Sequence, residues 1–362
     1  MTRPKHGGNL TWAAKIAGCP VSSIRDFSAS INPLGIPQTV VTAIEEDIPR
    51  LVAYPDPNYP RLRKCLAKDC GVDAEYILPG NGSSELLTWA AKDLAQCSVT
   101  YLIAPAFGDY YRALTAMKAP IEAIAQKLPF GELKTLIPDT LKRSRSAVLA
   151  RSGLLLNNPH NPTGKLWQKT EIIPYLSQFA LVVIDEAFMD FLIPSQQQSL
   201  IDLVADFPNL IILRSLTKFY SLPGLRIGYA VTNPQRIEQW QQYRDPWSVN
   251  TLAATAAITA IKDRDFQQDT WNWLASARKD LWQGLNEISG LQALPSKANY
   301  LLVKAEMSVT QLQEKLLKQN RIYIRDCLSF AELGDRYFRV AVRTPQENQL
   351  LLQALNLIIT NY

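Results

Sequence analysis

Four short apolar runs in the middle of the chain constrain the fold more than any other feature. They are VTYLIA, GLLLN, ALVVID and NLIIL, at residues 99–104, 153–157, 180–185 and 209–213. Each run is apolar at consecutive positions, which is typical of parallel strands that are covered by helices on both faces. Amphipathic stretches such as ELLTWAAKDLA and KTEIIPYLSQF flank these runs. The pattern predicts an α/β fold with a mostly parallel, doubly wound sheet.

The pattern changes at PWSVN, residues 246–250. A long stretch rich in Ala and Trp follows, and after it come three strand-like segments, NYLLVKA, RIYIRD and YFRVAVR. We therefore predict a large domain over residues 41–245 and a smaller α+β domain over residues 246–362. Residues 1–40 are rich in Gly, Pro and Asn and are too irregular for the main sheet. We expect them to pack beside the smaller domain and to cover the site.

The bulk composition argues against several classes of protein. The net charge of the 362 residues is +5 and is spread without a basic block, which disfavours a nucleic-acid-binding protein. No apolar run approaches the roughly 18 residues of a membrane span. Five cysteines without a CxxC pair, and a start MTRPKHGGNL without an apolar signal, favour a cytoplasmic protein. The two histidines, His6 and His160, have no further ligands at metal-binding spacing, so we predict no metal site.

Each predicted strand is followed by a polar or aromatic segment. After these strands come APAFGDYY, NNPHNPTG, DEAF and RSLTKFY. Because ligands of open parallel sheets bind beyond the carboxyl ends of the strands, the side chains delivered there are expected to converge. They are Tyr110, Asn161, Asp185 and Lys218. One carboxylate at a strand end is ambiguous, whereas four such groups together indicate a site.

The segment PGNGSSELL predicts an anion site. Gly80 and Gly82 allow a tight turn, and Ser83 or Ser84 is expected to cap a helix whose N-terminal N–H groups face the loop. An ordinary capped helix explains this segment equally well. Further hydroxyls and a fork-shaped cation come from the lysine segment, namely Ser215, Thr217 and Arg226.

A lysine, a buried acid, an aromatic face and a phosphate site together describe a pocket for pyridoxal 5′-phosphate. Lys218 would bind the aldehyde, and its ordinary pKa of roughly 10.4 would have to be lowered by burial and by nearby cations. Asp185 would keep the ring nitrogen protonated, so that the ring accepts electrons. Asn161 would donate to the ring hydroxyl oxygen, and Tyr110 would stack on the ring.

The motifs GNGSSEL, NPHNPTG, DEAF and SLTKFYSLPGLRIGY resemble the fold-type I aminotransferase group of pyridoxal 5′-phosphate enzymes, in the branch of the histidinol-phosphate aminotransferases. The resemblance covers essentially the whole chain. It implies that Lys218 is the Schiff-base lysine and that four residues surround the cofactor phosphate, namely Ser83, Ser215, Thr217 and Arg226. It also implies a homodimer with shared active sites, in which Tyr54 reaches the cofactor phosphate of the other subunit.

Within this branch, four segments resemble the decarboxylating members more than the aminotransferases. They are HGGNLTWAAKIAG and DFSASINPLGIP near the start, and IRDC and YFRVAVRTPQEN further along the chain. Phe188 in DEAF stands where the aminotransferases usually carry tyrosine; it marks a decarboxylase or is a neutral replacement. The implied substrate is a phosphorylated amino acid, L-threonine O-3-phosphate, and the implied pathway is cobalamin biosynthesis.

The resemblance also implies the substrate contacts. Arg339 would bind the α-carboxylate, Arg325 is a second active-site arginine, and the N-terminal segment would close over the substrate phosphate. The residues expected to bind substrate are His6, Gly7, Asn32, Asn161, Arg325 and Arg339; without the resemblance, His6 is equally well explained as an unstructured terminal residue. Two alternatives stay open: an aminotransferase acting on histidinol phosphate or a related compound, and a non-catalytic cofactor-binding regulator. The regulator would need a DNA-binding module, for which we see no room before the first motif.

Overall fold

The computed structural model describes residues 2–125, 128–137 and 149–361. The helices of these ranges are α1 (Leu10–Ala17), α2 (Gln38–Asp47), α3 (Pro60–Cys70), α4 (Ser83–Leu94), α5 (Gly108–Ala116), α6 (Leu133–Leu136), α7 (Lys169–Leu176), α8 (Pro234–Gln241), α9 (Thr251–Lys262), α10 (Arg264–Glu287), α11 (Val309–Asn320) and α12 (Pro345–Thr360). None of the helices described here is both long enough and apolar enough to cross a membrane.

The strands form two main sheets and one short pair. They are β1 (Arg25–Asp26), β2 (Ile77–Gly80), β3 (Thr100–Ala104), β4 (Ile121–Ala125), β5 (Gly153–Asn157), β6 (Leu181–Asp185), β7 (Leu210–Ser215), β8 (Gly228–Thr232), β9 (Leu291–Ala293), β10 (Tyr300–Ala305), β11 (Ile322–Tyr323), β12 (Arg325–Asp326) and β13 (Tyr337–Ala341).

The large sheet has the order β2-β8-β7-β6-β5-β3-β4. Strands β3 to β7 pair in parallel, and β8 runs antiparallel to both of its neighbours. The four apolar runs of the sequence are β3, β5, β6 and β7, so the prediction of a mostly parallel α/β sheet is confirmed. The strands β2, β4 and β8 were not predicted.

Two hydrophobic clusters explain why these strands are apolar at consecutive positions. In β6, Val182 and Ile184 point into one cluster, while Leu181 and Val183 point into the other. Helices α4, α5 and α8 contribute to the second cluster, so side chains on both faces of the sheet are buried. Each fully buried aliphatic side chain contributes about 1.5–3 kcal/mol relative to an exposed one.

The second sheet is antiparallel, with the order β12-β13-β10-β9. The segment RIYIRD was predicted as one strand, but the structure divides it. Its first part, β11, pairs in parallel with β1, and its second part, β12, pairs with β13. The pairing of β1 with β11 brings the N-terminal residues against the C-terminal part of the chain, and the division into domains with boundaries at residues 40 and 245 stays a prediction.

Candidate active site

A cavity of about 250 Å³ lies at the carboxyl ends of β5, β6 and β7. Tyr110, Asn161, Asp185 and Lys218 all line it, as the order of strands and polar segments predicts. Cavities of about 610 and 480 Å³ lie elsewhere on the described part of the chain. Convergent polar and charged groups, rather than size, mark the smaller cavity as the candidate active site.

Lys218 lies in the loop that follows β7. Its Nζ is 3.3 Å from Ser215 Oγ and 5.1 Å from the centroid of the Phe188 ring. Burial lowers the pKa of Lys218 to about 8; Asp185 opposes this shift, and the charges of Arg226 and Arg339 add to it. The side chain is therefore a usable amine near neutral pH, which is what an amine nucleophile requires.

Asp185 is the last residue of β6 and faces this lysine. Its Oδ2 accepts a hydrogen bond of 2.7 Å from the Tyr110 hydroxyl, and its Oδ1 accepts one of 2.9 Å from the backbone N–H of Ala187. Burial raises the pKa of Asp185, while the Tyr110 bond and the charge of Lys218 lower it. The neighbouring strand fixes the Asp185 backbone, because Asn157 Nδ2 donates to the Asp185 carbonyl at 2.7 Å. The predicted stacking of Tyr110 on a ring stays a prediction; its bond to Asp185 was not predicted.

The anion site is built differently from the prediction. Neither Ser83 nor Ser84 caps α4; Gly82 occupies the N-cap position with a φ of 74° and makes no side-chain cap. A Cβ on Gly82 would lie 2.4 Å from Arg226 Nη2, so only glycine lets this guanidinium approach the start of α4. The expectation that a serine caps the helix is therefore wrong, because the glycine turn itself begins the helix.

The position of Arg226 tests whether a phosphate fits here. The N-terminus of a helix carries partial positive charge, so a cation beside it is unfavourable unless an anion lies between them. Arg226 donates to the Pro223 carbonyl at 3.2 Å and forms no ion pair with a carboxylate in the described ranges. The hydroxyls of Ser215 and Thr217, 2.8 Å apart, line the same cavity. These groups fit the phosphate of pyridoxal 5′-phosphate.

Two further arginines lie at the other end of the cavity. Arg339 Nη1 donates to Asn161 Oδ1 at 2.5 Å, and its guanidinium carbon lies 4.8 Å from the centroid of the Tyr300 ring. Burial lowers the pKa of Arg339, and its Nε has no hydrogen-bond partner among the described residues. Arg325 is also buried and donates to Ser329 Oγ at 2.5 Å and to the Lys5 carbonyl. The unpartnered Nε leaves Arg339 able to bind an anionic ligand, whereas Arg325 already pairs with the Asp326 carboxylate at 3.4 Å.

The N-terminal segment lies over this end of the cavity. His6 and Gly7 line the cavity, and the His6 ring meets Phe107 edge to face at 5.6 Å. Burial, and secondarily the charge of Arg325, lower the pKa of His6, while the charge of Asp109 opposes this shift. Gly7 lies so close to the chain that a Cβ would fall 2.2 Å from the Ser28 carbonyl oxygen.

Three predicted site residues are not among those that line the cavity, namely Gly82, whose contact with Arg226 is described above, Asn32 and Tyr54. Asn32 is buried beneath the lysine loop, and its Nδ2 donates to the Phe219 carbonyl at 2.9 Å and to Thr270 Oγ1 at 2.8 Å. Because this amide is already bonded, Asn32 fixes the lysine loop and does not cover the site, in contrast to the prediction. Tyr54 is 80% exposed, stacks on Trp247 at 4.6 Å and lines the cavity of about 610 Å³.

Several residues of the cavity were missed. Asn157 ends a predicted strand, so its position at the sheet edge was available from the sequence. Ser28 and Ser329 reach the cavity from the N-terminal segment and from the loop after β12, and no local pattern marks them. Phe188 lines the cavity and packs edge to face on Tyr300 at 4.9 Å; the Tyr300 hydroxyl itself donates to the His160 carbonyl at 2.8 Å.

Several known proteins are similar to this chain over most of its length. Residues 23–355 match the family model described as aminotransferase class I and II. The chain is 36% identical to the threonine-phosphate decarboxylase of Salmonella typhimurium (strain LT2), over 98% of this chain and 96% of that protein. It is 32% identical to the adenosylcobalamin biosynthesis bifunctional protein CobDQ of Leptospira interrogans, over 98% of this chain and 41% of that protein. The solved histidinol-phosphate aminotransferase from Clostridium acetobutylicum is 28% identical with a TM-score of 0.84, covering 93% of this chain and 99% of that chain.

Proposed function

The chain belongs to the aminotransferase class I and II family, and from this premise we propose that it is a pyridoxal 5′-phosphate-dependent carboxy-lyase that converts L-threonine O-3-phosphate to (R)-1-aminopropan-2-yl phosphate and carbon dioxide. The product is the aminopropanol linker precursor of cobalamin biosynthesis, in keeping with the relatives. The observation that carries the proposal is the 36% identity to the Salmonella typhimurium decarboxylase over nearly the full length of both proteins.

The cofactor is pyridoxal 5′-phosphate, and the residues of the cavity fit it. Lys218 supplies the amine, Asp185 supplies a carboxylate for the ring nitrogen, and Arg226 with the start of α4 supplies a phosphate site. When bound, the cofactor accepts the electron pair that is released when a bond to the substrate Cα breaks. The hydrogen bond from Tyr110 keeps the Asp185 carboxylate in place despite its burial.

The distribution of cations supports a substrate with two anionic groups. Arg226 serves the cofactor phosphate, which leaves Arg339 for a carboxylate and Arg325 for the phosphate of the amino acid. Asn161 fixes the Arg339 fork through its Oδ1 and so sets the direction of the carboxylate. The Lys218 amine, with its pKa lowered to about 8, can hold or release a proton beside the substrate Cα near neutral pH.

We further propose that the active enzyme is a homodimer and that Tyr54 serves the site of the second subunit. Tyr54 belongs to an exposed apolar group that includes Val52, which is 94% exposed, and Trp247. Exposed apolar patches of this kind mark protein–protein contacts. A cytoplasmic location stays a prediction.

Decarboxylation is tested with the purified protein loaded with pyridoxal 5′-phosphate. We expect L-threonine O-3-phosphate alone to release carbon dioxide and an equal amount of aminopropanol phosphate, without a keto acid. Absence of carbon dioxide from protein that holds the cofactor would contradict the proposal. Turnover of histidinol phosphate that requires 2-oxoglutarate would favour the aminotransferase reaction of the 28% identical structure instead.

A further inference from the structure

The first residues of the chain form a strap, residues 3–8, across one end of the active-site cavity. Lys5, His6 and Gly7 of the strap line the cavity, and the Gly8 N–H donates to Ser28 Oγ at 2.8 Å. The strap therefore closes the end of the cavity at which Arg325 lies.

A single buried carboxylate, that of Asp326, joins the strap to Arg325. The Asp326 side chain is 3% exposed. Its Oδ2 lies 3.4 Å from Arg3 Nη1 and accepts a hydrogen bond of 3.1 Å from Gln313 Nε2. Its Oδ1 lies 3.4 Å from Arg325 Nη1 and accepts from the Leu328 N–H at 3.3 Å. One oxygen thus faces the strap, and the other faces the active-site arginine.

A second nitrogen of Arg325 also contacts the strap. Its Nη2 donates to the carbonyl of Lys5 in the strap and to Ser329 Oγ. At the other end of the strap, Arg3 donates to Gln313 Oε1 and lies 5.6 Å from the centroid of the Trp12 ring. The strap is consequently held at Arg3, at the Lys5 carbonyl and at the Gly8 N–H, and Asp326 takes part in the first contact directly and in the second through Arg325.

We infer that Asp326 is a positioning residue for the proposed reaction: it holds the strap closed through Arg3 and aims the Arg325 guanidinium at the phosphate of the substrate. Asp326 is not among the residues that line the cavity, so its effect passes through these two arginines. If Asp326 loses its charge, the buried Arg325 guanidinium loses its ion pair and the strap loses its anchor. The part that concerns substrate rests on the proposed function, whereas the part that concerns the strap does not.

The strap is tested by limited proteolysis with trypsin. Trypsin cleaves the peptide bond between Lys5 and His6, and the carbonyl of this bond accepts the hydrogen bond from Arg325. Cleavage at this bond therefore reports opening of the strap. We expect D326N and R3Q to lose the first five residues at least about fivefold faster than the wild type, as followed by intact mass. D280N, a substitution of the same kind on the exposed face of α10, is the control and should be cleaved at the wild-type rate.

The substrate part is tested by steady-state kinetics on the loaded enzymes. We expect D326N and R3Q to raise KM for L-threonine O-3-phosphate about tenfold while kcat changes less than about threefold and the cofactor absorbance is unchanged. A decrease in kcat as large as the increase in KM, together with a changed cofactor absorbance, would indicate a merely structural role. That result would overturn the inference. R3Q replaces a partly exposed side chain, so it decides the question if D326N does not fold.

Proteolysis and kinetics together separate the two proposals. Wild-type cleavage rates in both variants would overturn the strap inference even if the enzyme decarboxylates its substrate. Faster cleavage in protein that does not release carbon dioxide would support the strap while contradicting the proposed function.

Discussion

The lowered pKa of Lys218 reflects a low-dielectric setting and nearby cations rather than a neighbouring base. The Nζ of Lys218 contacts Ser215 Oγ, lies over the Phe188 ring and shares the cavity with Arg226 and Arg339. A buried ammonium is destabilised, so the amine form is favoured and the pKa falls to about 8. The same effect that prepares the residue for chemistry must cost stability in the cofactor-free protein.

The K218M variant of the cofactor-free protein is therefore expected to be more stable than the wild type at pH 7. Below pH 8 the lysine is protonated in the folded and in the unfolded protein, so the folded protein bears the whole cost of burying the ammonium. Above the unfolded pKa of about 10.4 the lysine is neutral in both, and this cost vanishes. The advantage of K218M should be about 2–3 kcal/mol at pH 7 and fall toward zero as the pH rises from 8 to about 10.4. Urea unfolding at a series of pH values measures it.

A matched control is K279M, which removes an exposed lysine of α10. Its free energy of unfolding should differ from that of the wild type by the same small amount at every pH. A K218M variant that is no more stable at pH 7 than at pH 10, relative to wild type, would show that the buried amine is not destabilised.

At the scale of secondary-structure elements, the start of α4 carries the most specific prediction. Gly82 has a φ of 74° and lies against Arg226, whereas Gly71 has a φ of 70° and open space within 4 Å of the point where a Cβ would lie. G71A is expected to lose about 1–2 kcal/mol of stability from its left-handed backbone, and G82A at least as much, because a φ of 74° with a ψ of 161° is almost restricted to glycine. Only G82A should also displace Arg226 and weaken binding of pyridoxal 5′-phosphate, by about tenfold or more.

Urea unfolding of the cofactor-free variants and absorbance titration with the cofactor measure the two effects separately. If G71A weakened cofactor binding as much as G82A does, the loss would come from general destabilisation and not from the Arg226 contact.

The elements that could be predicted are those whose pattern is local. Strands β3, β5, β6 and β7 are apolar on both faces because helices cover both faces, and the residues that follow them meet at one edge. Strands β2 and β8 were missed, since ILPG contains proline and glycine and GYAVT follows the lysine segment closely, outside the alternation of apolar runs and amphipathic stretches. The split of RIYIRD between β11 and β12 depends on pairing with β1 and β13, which no local pattern encodes.

The residues of the site divide in the same way. Lys218 and Asp185 could be placed from the strand order, because parallel strands bring their carboxyl ends together. Asp326, Ser28 and Ser329 could not. Ser28 and Ser329 line the cavity from the N-terminal segment and from the loop after β12, and Asp326 contacts Arg325 without lining the cavity. Asn32 was misplaced for the converse reason: it lies close to the site in the fold, but its amide is used by Phe219 and Thr270.

At the scale of the whole molecule, one face is unusually apolar for a surface. Large hydrophobic side chains are exposed between α2 and α3 and before α9, namely Ile48, Leu51, Val52, Tyr54 and Trp247. Val52 and Tyr54 line the cavity of about 610 Å³, Trp247 stacks on Tyr54, and none of the five lines the active-site cavity. A second copy of the chain would bury this face in a two-fold contact. We propose that the active sites are consequently shared between the two subunits.

Mixing two defective variants tests this sharing. K218A lacks the amine and Y54A lacks the exposed tyrosine, so each variant alone is expected to lose most activity. If Tyr54 of one subunit serves the Lys218 site of the other, a heterodimer of the two variants contains one intact site and one site with both defects. Random exchange of subunits should then restore about a quarter of the wild-type activity. Carbon dioxide release after mixing, dilution and re-equilibration measures the recovery; if Tyr54 and Lys218 act within one chain, every site carries a defect and no activity returns.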